Sequence, residues 1–146
     1  MKTVLITGAS TGIGETAARY MAAQGWQVFA GVRKEADADA LIAANLSIKP
    51  LILDVTKPDQ VEAAIGVISE ALGGTTLKGL VNNAGIANMG PLALQPMDEI
   101  RAHFEVNVFG LMAMTKAALP LLGMDESRRR TGPHCEYQFG WRAFVS

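Results

Sequence analysis

Cysteine is almost absent. Cys135 is the single one in 146 residues, so no internal disulfide can form, and a reducing compartment, the cytoplasm, is the expected location. Long apolar runs are absent as well. None approaches the roughly 18 residues of a membrane span, and Lys2 is the only basic residue before the first apolar stretch, so neither a span nor a signal peptide is expected. No charge excess exists to draw the chain to nucleic acid or an acidic membrane, since the net charge is −1. Metal ligands are sparse: His134 adjoins Cys135 without zinc spacing, and His103 has no ligand-spaced partner. A surface or internally satisfied imidazole is the expectation for His103, and no metal site is expected. Arg128 to Arg130 reads as a short solvated run. Two phosphate motifs are missing too. The glycines at 8, 12 and 14 do not meet Gly-x-Gly-x-x-Gly, and Ile13 and Gly14 stand where a triphosphatase loop needs glycine and lysine.

What remains is a sequence that is 49% hydrophobic and 18% charged, enough for one domain with a packed core. Its organising stretch is Thr7-Gly8-Ala9-Ser10-Thr11-Gly12-Ile13-Gly14, between the apolar run Val4-Leu5-Ile6 and a helical pattern. Strand, glycine turn and helix bring backbone N–H groups and a helix N-terminus against a phosphate. Strands are expected at residues 2–7, 26–32, 50–55 and 80–81. Helices are expected at 12–24, 35–45, from Pro58 to Leu72, and from about Asp98 to Leu122. The inward stripes are Ile13, Ala17, Tyr20 and Met21 in the first helix, and Leu41 with Ile42 in the second. Val61, Ile65, Ile68 and Leu72 form the third, and Ile100, Phe104, Val108, Leu111 and Leu119 the last. Strands alternating with helices predict an α/β fold with a parallel sheet covered on both faces.

Thr-Gly-x-x-x-Gly-Ile-Gly occurs here with Asp54-Val55, Asn82-Asn83-Ala84-Gly85 and Phe104-Glu105-Val106-Asn107-Val108. In that order and near those spacings, these elements resemble the short-chain dehydrogenase/reductase family over residues 1–122. The resemblance implies a Rossmann-type doubly wound parallel sheet, incomplete here, with about four or five strands and flanking helices. It implies that Gly8, Ser10, Thr11, Gly12, Ile13 and Gly14 form the pyrophosphate turn. Asp54 matches the partner of the adenine amino group, and Val55 its backbone neighbour. Asn83, Ala84 and Gly85 match the loop along the adenine-side ribose. Asn107 matches the catalytic asparagine, which kinks a helix and holds a water in a proton relay. Asparagine is a poor mid-helix residue, so its place in a long apolar-periodic helix calls for a reason.

The end of the second strand decides between cofactors. An acid there binds the ribose 2′-hydroxyl of NAD, whereas this chain has Val32 and Arg33, whose guanidinium can pair with a 2′-phosphate. NADP(H) is favoured over NAD(H), although the family's other basic marker is the neutral Thr11; the alternative for Arg33 and Lys34 is a solvated loop. The resemblance implies hydride transfer between nicotinamide and a small alcohol or carbonyl substrate. Relatives pair through the helix matching residues 98–122 and the next one, of which only the first is expected here, so the resemblance leaves a homo-oligomer as one option.

The family's Tyr-x-x-x-Lys and substrate-orienting serine are not found. Tyr137 is followed four places on by Trp141, and no lysine follows Lys116. Residues 123–146 read as an irregular tail, with an edge strand at Tyr137–Trp141. Back-translating Gly132 to Ala143 and reading one nucleotide later permits Gly-Arg-Ile-Val-Asn-Ile-Ser-Ser-Val-Gly-Gly, the wording expected at that point in the family. The tail is therefore expected to be an out-of-frame translation. The alternatives to an active dehydrogenase are a non-catalytic dinucleotide-binding module and an inactive fragment.

Overall fold

The computed structural model of the chain describes residues 2–123. The expectations for Tyr137–Trp141, His134, Cys135 and Arg128–Arg130 fall outside those residues. The elements run β1 (Thr3–Ile6), α1 (Gly12–Ala23), β2 (Gln27–Val32), α2 (Glu35–Ala44), β3 (Ile48–Ile52), α3 (Pro58–Leu72), β4 (Gly79–Val81), α4 (Met97–Phe104) and α5 (Leu111–Ala118). A 3₁₀ turn at Leu92–Leu94 precedes α4, and a π turn at Glu105–Gly110 joins α4 to α5. The four strands are parallel in the order β3-β2-β1-β4, as the doubly wound reading expects.

The sheet separates two apolar layers. On one face Ala18 and Ala22 of α1 and Leu41 of α2 pack with Val4, Ile6, Val28 and Val32. On the other, Val61, Ile68 and Leu72 of α3 and Met114 and Ala118 of α5 pack with Leu5, Phe29 and Leu53. Consecutive residues of β1 and β2 thus enter opposite layers, which is why both strands read as unbroken apolar runs. α3 stops at Gly73, whose left-handed φ of 53° closes the helix.

Four expectations need correction. β3 begins at Ile48 and ends at Ile52, two to three residues earlier than the 50–55 reading. Asn45 turns the chain by accepting the Ser47 N–H on its side chain (2.8 Å), and pairing runs from Val28↔Ile48 to Val32↔Ile52. Pro50 is tolerated because β3 is at the sheet edge. In α1, Ile13 (82% exposed) and Tyr20 (66%) face outward, and the buried positions are Gly14, Ala18 and Ala22. Close approach of helix to sheet selects small residues there, not large ones. In α2, Leu41 is buried but Ile42 is exposed.

The last helix is not one regular stripe. Phe104, Val108 and Leu111 are exposed, whereas Gly110, Met114 and Ala118 are buried. A π turn carries more than 3.6 residues per turn, so it shifts the phase of every position after it. Gly110 sits where this helix comes closest to the β3–α3 loop. A Cβ there would lie 2.6 Å from Cγ2 of Val55.

Candidate functional site

The carboxyl ends of the four strands open on one crevice of about 260 Å³. Gly8, Ser10 and Thr11 enter from β1, Val32 and Arg33 from β2, Asp54 and Val55 from β3, and Asn83, Ala84 and Gly85 from β4. Gly31, Leu53, Thr56, Ile86 and Val106 complete the wall. Gly12, Ile13 and Gly14 form the start of α1 beside it. Asn107 lies behind Gly85 and Ile86, outside the lining itself.

The glycines of the turn serve different needs. Gly8 (φ 64°) and Gly12 (φ 60°) adopt left-handed backbone. Gly8 also has no room, because a Cβ would meet Cα of Ala84 at 2.7 Å, while the space at Gly12 is open. Gly14 has ordinary backbone, but a Cβ there would overlap Nδ2 of Asn83 and the carbonyl oxygen of Gly8. Thr11 caps α1 with extended backbone and no side-chain bond, so first-turn N–H groups face outward. An open concavity beside unclaimed N–H groups suits an anion.

Thr7 ties the turn to β4, a role the sequence reading did not assign. It is buried, and its hydroxyl accepts the N–H of Asn83 (3.1 Å) and of Ala84 (3.0 Å) while donating to the Val81 carbonyl (3.4 Å). Asn83 returns the contact by donating Nδ2–H to the Gly8 carbonyl at 2.9 Å. The only signal in the sequence was a hydroxyl residue ending an apolar strand. Asn82 points the other way and donates to Thr115 Oγ1 (2.9 Å); its buried Oδ1 has no partner among the described residues.

Asp54 is held rigidly. Its Oδ1 accepts the N–H (3.0 Å) and hydroxyl (2.7 Å) of Thr56, and its own N–H is donated to Gln60 Oε1 (2.8 Å). Burial works to raise its pKa, but the Thr56 side-chain and backbone bonds, with the charges of Lys57 and Arg33, outweigh it and leave the group below its ordinary value. Its stabilising contribution is therefore complete above the ordinary carboxylate range and is lost as pH falls through the lowered value. Thr56→Ala is expected to move the Asp54 titration upward. Carboxyl NMR titration checks this, and an unmoved titration would remove Thr56 as the cause.

Asn107 faces neither solvent alone nor the core. Its Nδ2–H donates to the Ile86 carbonyl (2.8 Å) and its Oδ1 accepts the Ile86 N–H (2.9 Å). The side chain thus reads a backbone as a neighbouring strand would, which accounts for an asparagine inside a π turn. His103 accepts the Asn88 N–H at Nε2, 2.8 Å away, so it is internally satisfied. No group of three His, Cys, Asp or Glu side chains among the described residues could hold a metal. No helix among them is long and apolar enough to cross a membrane.

A larger apolar groove of about 660 Å³ lies between α3 and α5, walled by residues such as Val61, Ile65 and Phe109. Its exposed lining is mainly apolar and it contains none of the glycine turn, so the smaller crevice is the better candidate site.

Comparison with known proteins fits this geometry. The family model described as short chain dehydrogenase matches residues 2–132. The chain is 35% identical over 133 residues to an NADPH-dependent 3-dehydrocapnine reductase of Ornithobacterium rhinotracheale, covering 90% of this chain and 47% of that protein. It is 38% identical over 132 residues to mouse (Mus musculus) estradiol 17-beta-dehydrogenase 2, covering 87% of this chain and 34% of that one. Among solved structures, an NADPH-bound carbonyl reductase from chicken fatty liver superposes with a TM-score of 0.78 at 27% identity, over 85% of this chain and 52% of that one. A short-chain dehydrogenase from Streptomyces avermitilis gives 0.76 at 33% identity, over 82% and 44%. The chain thus spans about half the length, or less, of the relatives it matches. Strand order, glycine turn and a family match over most of the sequence agree, and the chain belongs to the short-chain dehydrogenase family.

Proposed function

We propose that the crevice binds a nicotinamide dinucleotide, NADP(H) in preference to NAD(H), for an oxidoreductase that acts on a small alcohol or carbonyl compound. The observation that carries this reading is the convergence of the glycine turn, Asp54 and Asn83–Gly85 on one crevice at the carboxyl ends of the parallel strands. The donor set suits such a ligand. The open space at Gly12 and the uncapped start of α1 suit a pyrophosphate. Asp54, fixed by Thr56, presents a carboxylate to an adenine amino group. Asn83, Ala84 and Gly85 line the same crevice and would hold the adenine-side ribose. A bound nicotinamide would supply or accept a hydride. The Asn107 amide gives one N–H and one lone pair to Ile86, which leaves a second N–H and a second lone pair for a relay water.

Arg33 is exposed at the rim and carries the preference for a 2′-phosphate. The similar reductase and the similar carbonyl reductase, described as NADPH-dependent and NADPH-bound, support the same choice. Arg33→Ala is expected to weaken NADPH binding about ten- to hundredfold, the worth of a hydrogen bond to a charged group, and to leave NADH nearly unchanged. Equal losses for both nucleotides would refute the assignment.

A second reading is favoured by one observation: neither Tyr20 nor Tyr137 is followed four residues later by lysine. On that reading the chain binds the nucleotide without turning it over, or does neither as an inactive fragment. Titration followed by NADPH fluorescence, run beside an assay of alcohol oxidation, separates the three. Trp26 is a poor reporter for this titration. It lies at the N-terminal end of β2 under the Lys2 ammonium, 5.6 Å from the ring centre, away from the crevice.

A further inference from the structure

His103 and Asn107 are four residues apart on the α4–π-turn helix, and their loop partners, Asn88 and Ile86, are two apart. A helix rises about 6 Å over four residues, and an extended chain advances about 6.6 Å over two. Alternate N–H groups of an extended segment also point the same way. The two side chains therefore meet two successive N–H groups along one edge of residues 86–88. Gln95 adds a third tie by donating its Nε2–H to the Asn88 carbonyl at 3.0 Å. The 86–91 segment has no helix or strand of its own, so these side chains stand in for a pairing strand. Ile86 is both the next residue of this segment toward β4 and part of the crevice wall.

We propose that His103 is a positioning residue. As a neutral imidazole accepting at Nε2, with its proton on Nδ1, it sets the register of residues 86–88 against the helix and so holds Ile86 and Gly85 at the crevice. The effect on ligand rests on the nucleotide reading given above; the clasp itself does not. A histidine protonated at Nε2 would turn a donor toward the Asn88 N–H and could not make this bond.

The test uses the full chain. Nitrogen NMR of the wild type at about pH 8, where an ordinary imidazole is neutral, should show His103 Nε2 without a proton. An Nε2–H tautomer would overturn the proposal, whatever the variants do. His103→Leu should raise hydrogen exchange at the Asn88 amide about fivefold, the scale of one lost hydrogen bond, and weaken NADPH binding by a similar factor. His103→Gln, whose Oε1 can reach the same N–H, should restore both. Unchanged Asn88 exchange in His103→Leu, or a glutamine variant that behaves like the leucine one, would overturn it. So would faster exchange with wild-type NADPH affinity. If the wild type itself fails to bind NADPH, the nucleotide reading falls, and the tautomer and exchange rates still decide the clasp.

Discussion

Gly14→Val is expected to abolish nucleotide binding and to destabilise the fold by about 3 kcal/mol or more, at the upper end of the usual cost of overpacking. The reason is space, not backbone conformation. A Cβ at Gly14 would overlap the Asn83 amide nitrogen and the Gly8 carbonyl, the two groups that hydrogen-bond to each other across the turn. The side chain could enter only by separating β4 from the β1 turn, which is the seam of the crevice. Gly12→Ala is the matched control. Its cost is the left-handed backbone alone, roughly 1–2 kcal/mol, since nothing lies near the added carbon. Thermal melting with NADPH titration separates the two variants. A Gly14→Val protein as stable as Gly12→Ala would contradict the proposed packing.

The second large effect is expected at Thr7. Thr7→Val keeps the shape but removes the acceptor for two N–H groups, those of Asn83 and Ala84. An unsatisfied buried donor costs about 1–3 kcal/mol. Two half-buried ones set the expectation at about 2–4 kcal/mol on the same scale. Thr7→Ser keeps the hydroxyl and should recover most of that. Denaturant unfolding measures both variants. A valine variant as stable as the wild type, beside a weakened serine variant, would show that the methyl group, not the hydroxyl, is what matters at this position.

Much of the fold was legible because the relevant signals are local. The glycine spacing, the apolar runs of β1 and β2, and the four-three-four stripe of α3 each sit within a few residues, and the structure places them as read. The failures arise where packing between elements decides. Ile13 and Tyr20 match a helical stripe, yet the sheet comes too close to α1 for large side chains and takes Gly14, Ala18 and Ala22 instead. Val108 and Leu111 match a stripe of uniform period, and the π turn at Glu105–Gly110 breaks that period, whereas Phe104 is exposed although it precedes the turn. The asparagine at 107 signalled an irregularity, but not that its partner would be a backbone 21 residues earlier. Gly110 carried a readable hint, since glycine inside a helical pattern often marks a close approach. The crevice gathers residues from four strand ends, and their meeting follows from the parallel order of the sheet rather than from any single motif.

The central claim is that these strand ends form a dinucleotide site, and amide NMR of the 146-residue chain titrated with NADPH tests it most directly. Saturable shifts should concentrate at Gly8–Gly14, Arg33, Asp54–Val55 and Asn83–Gly85, with Trp26 and the far ends of the strands unmoved. Saturable binding that shifts the α3–α5 groove instead, or a folded chain with no shifts at the glycine turn, would contradict the account.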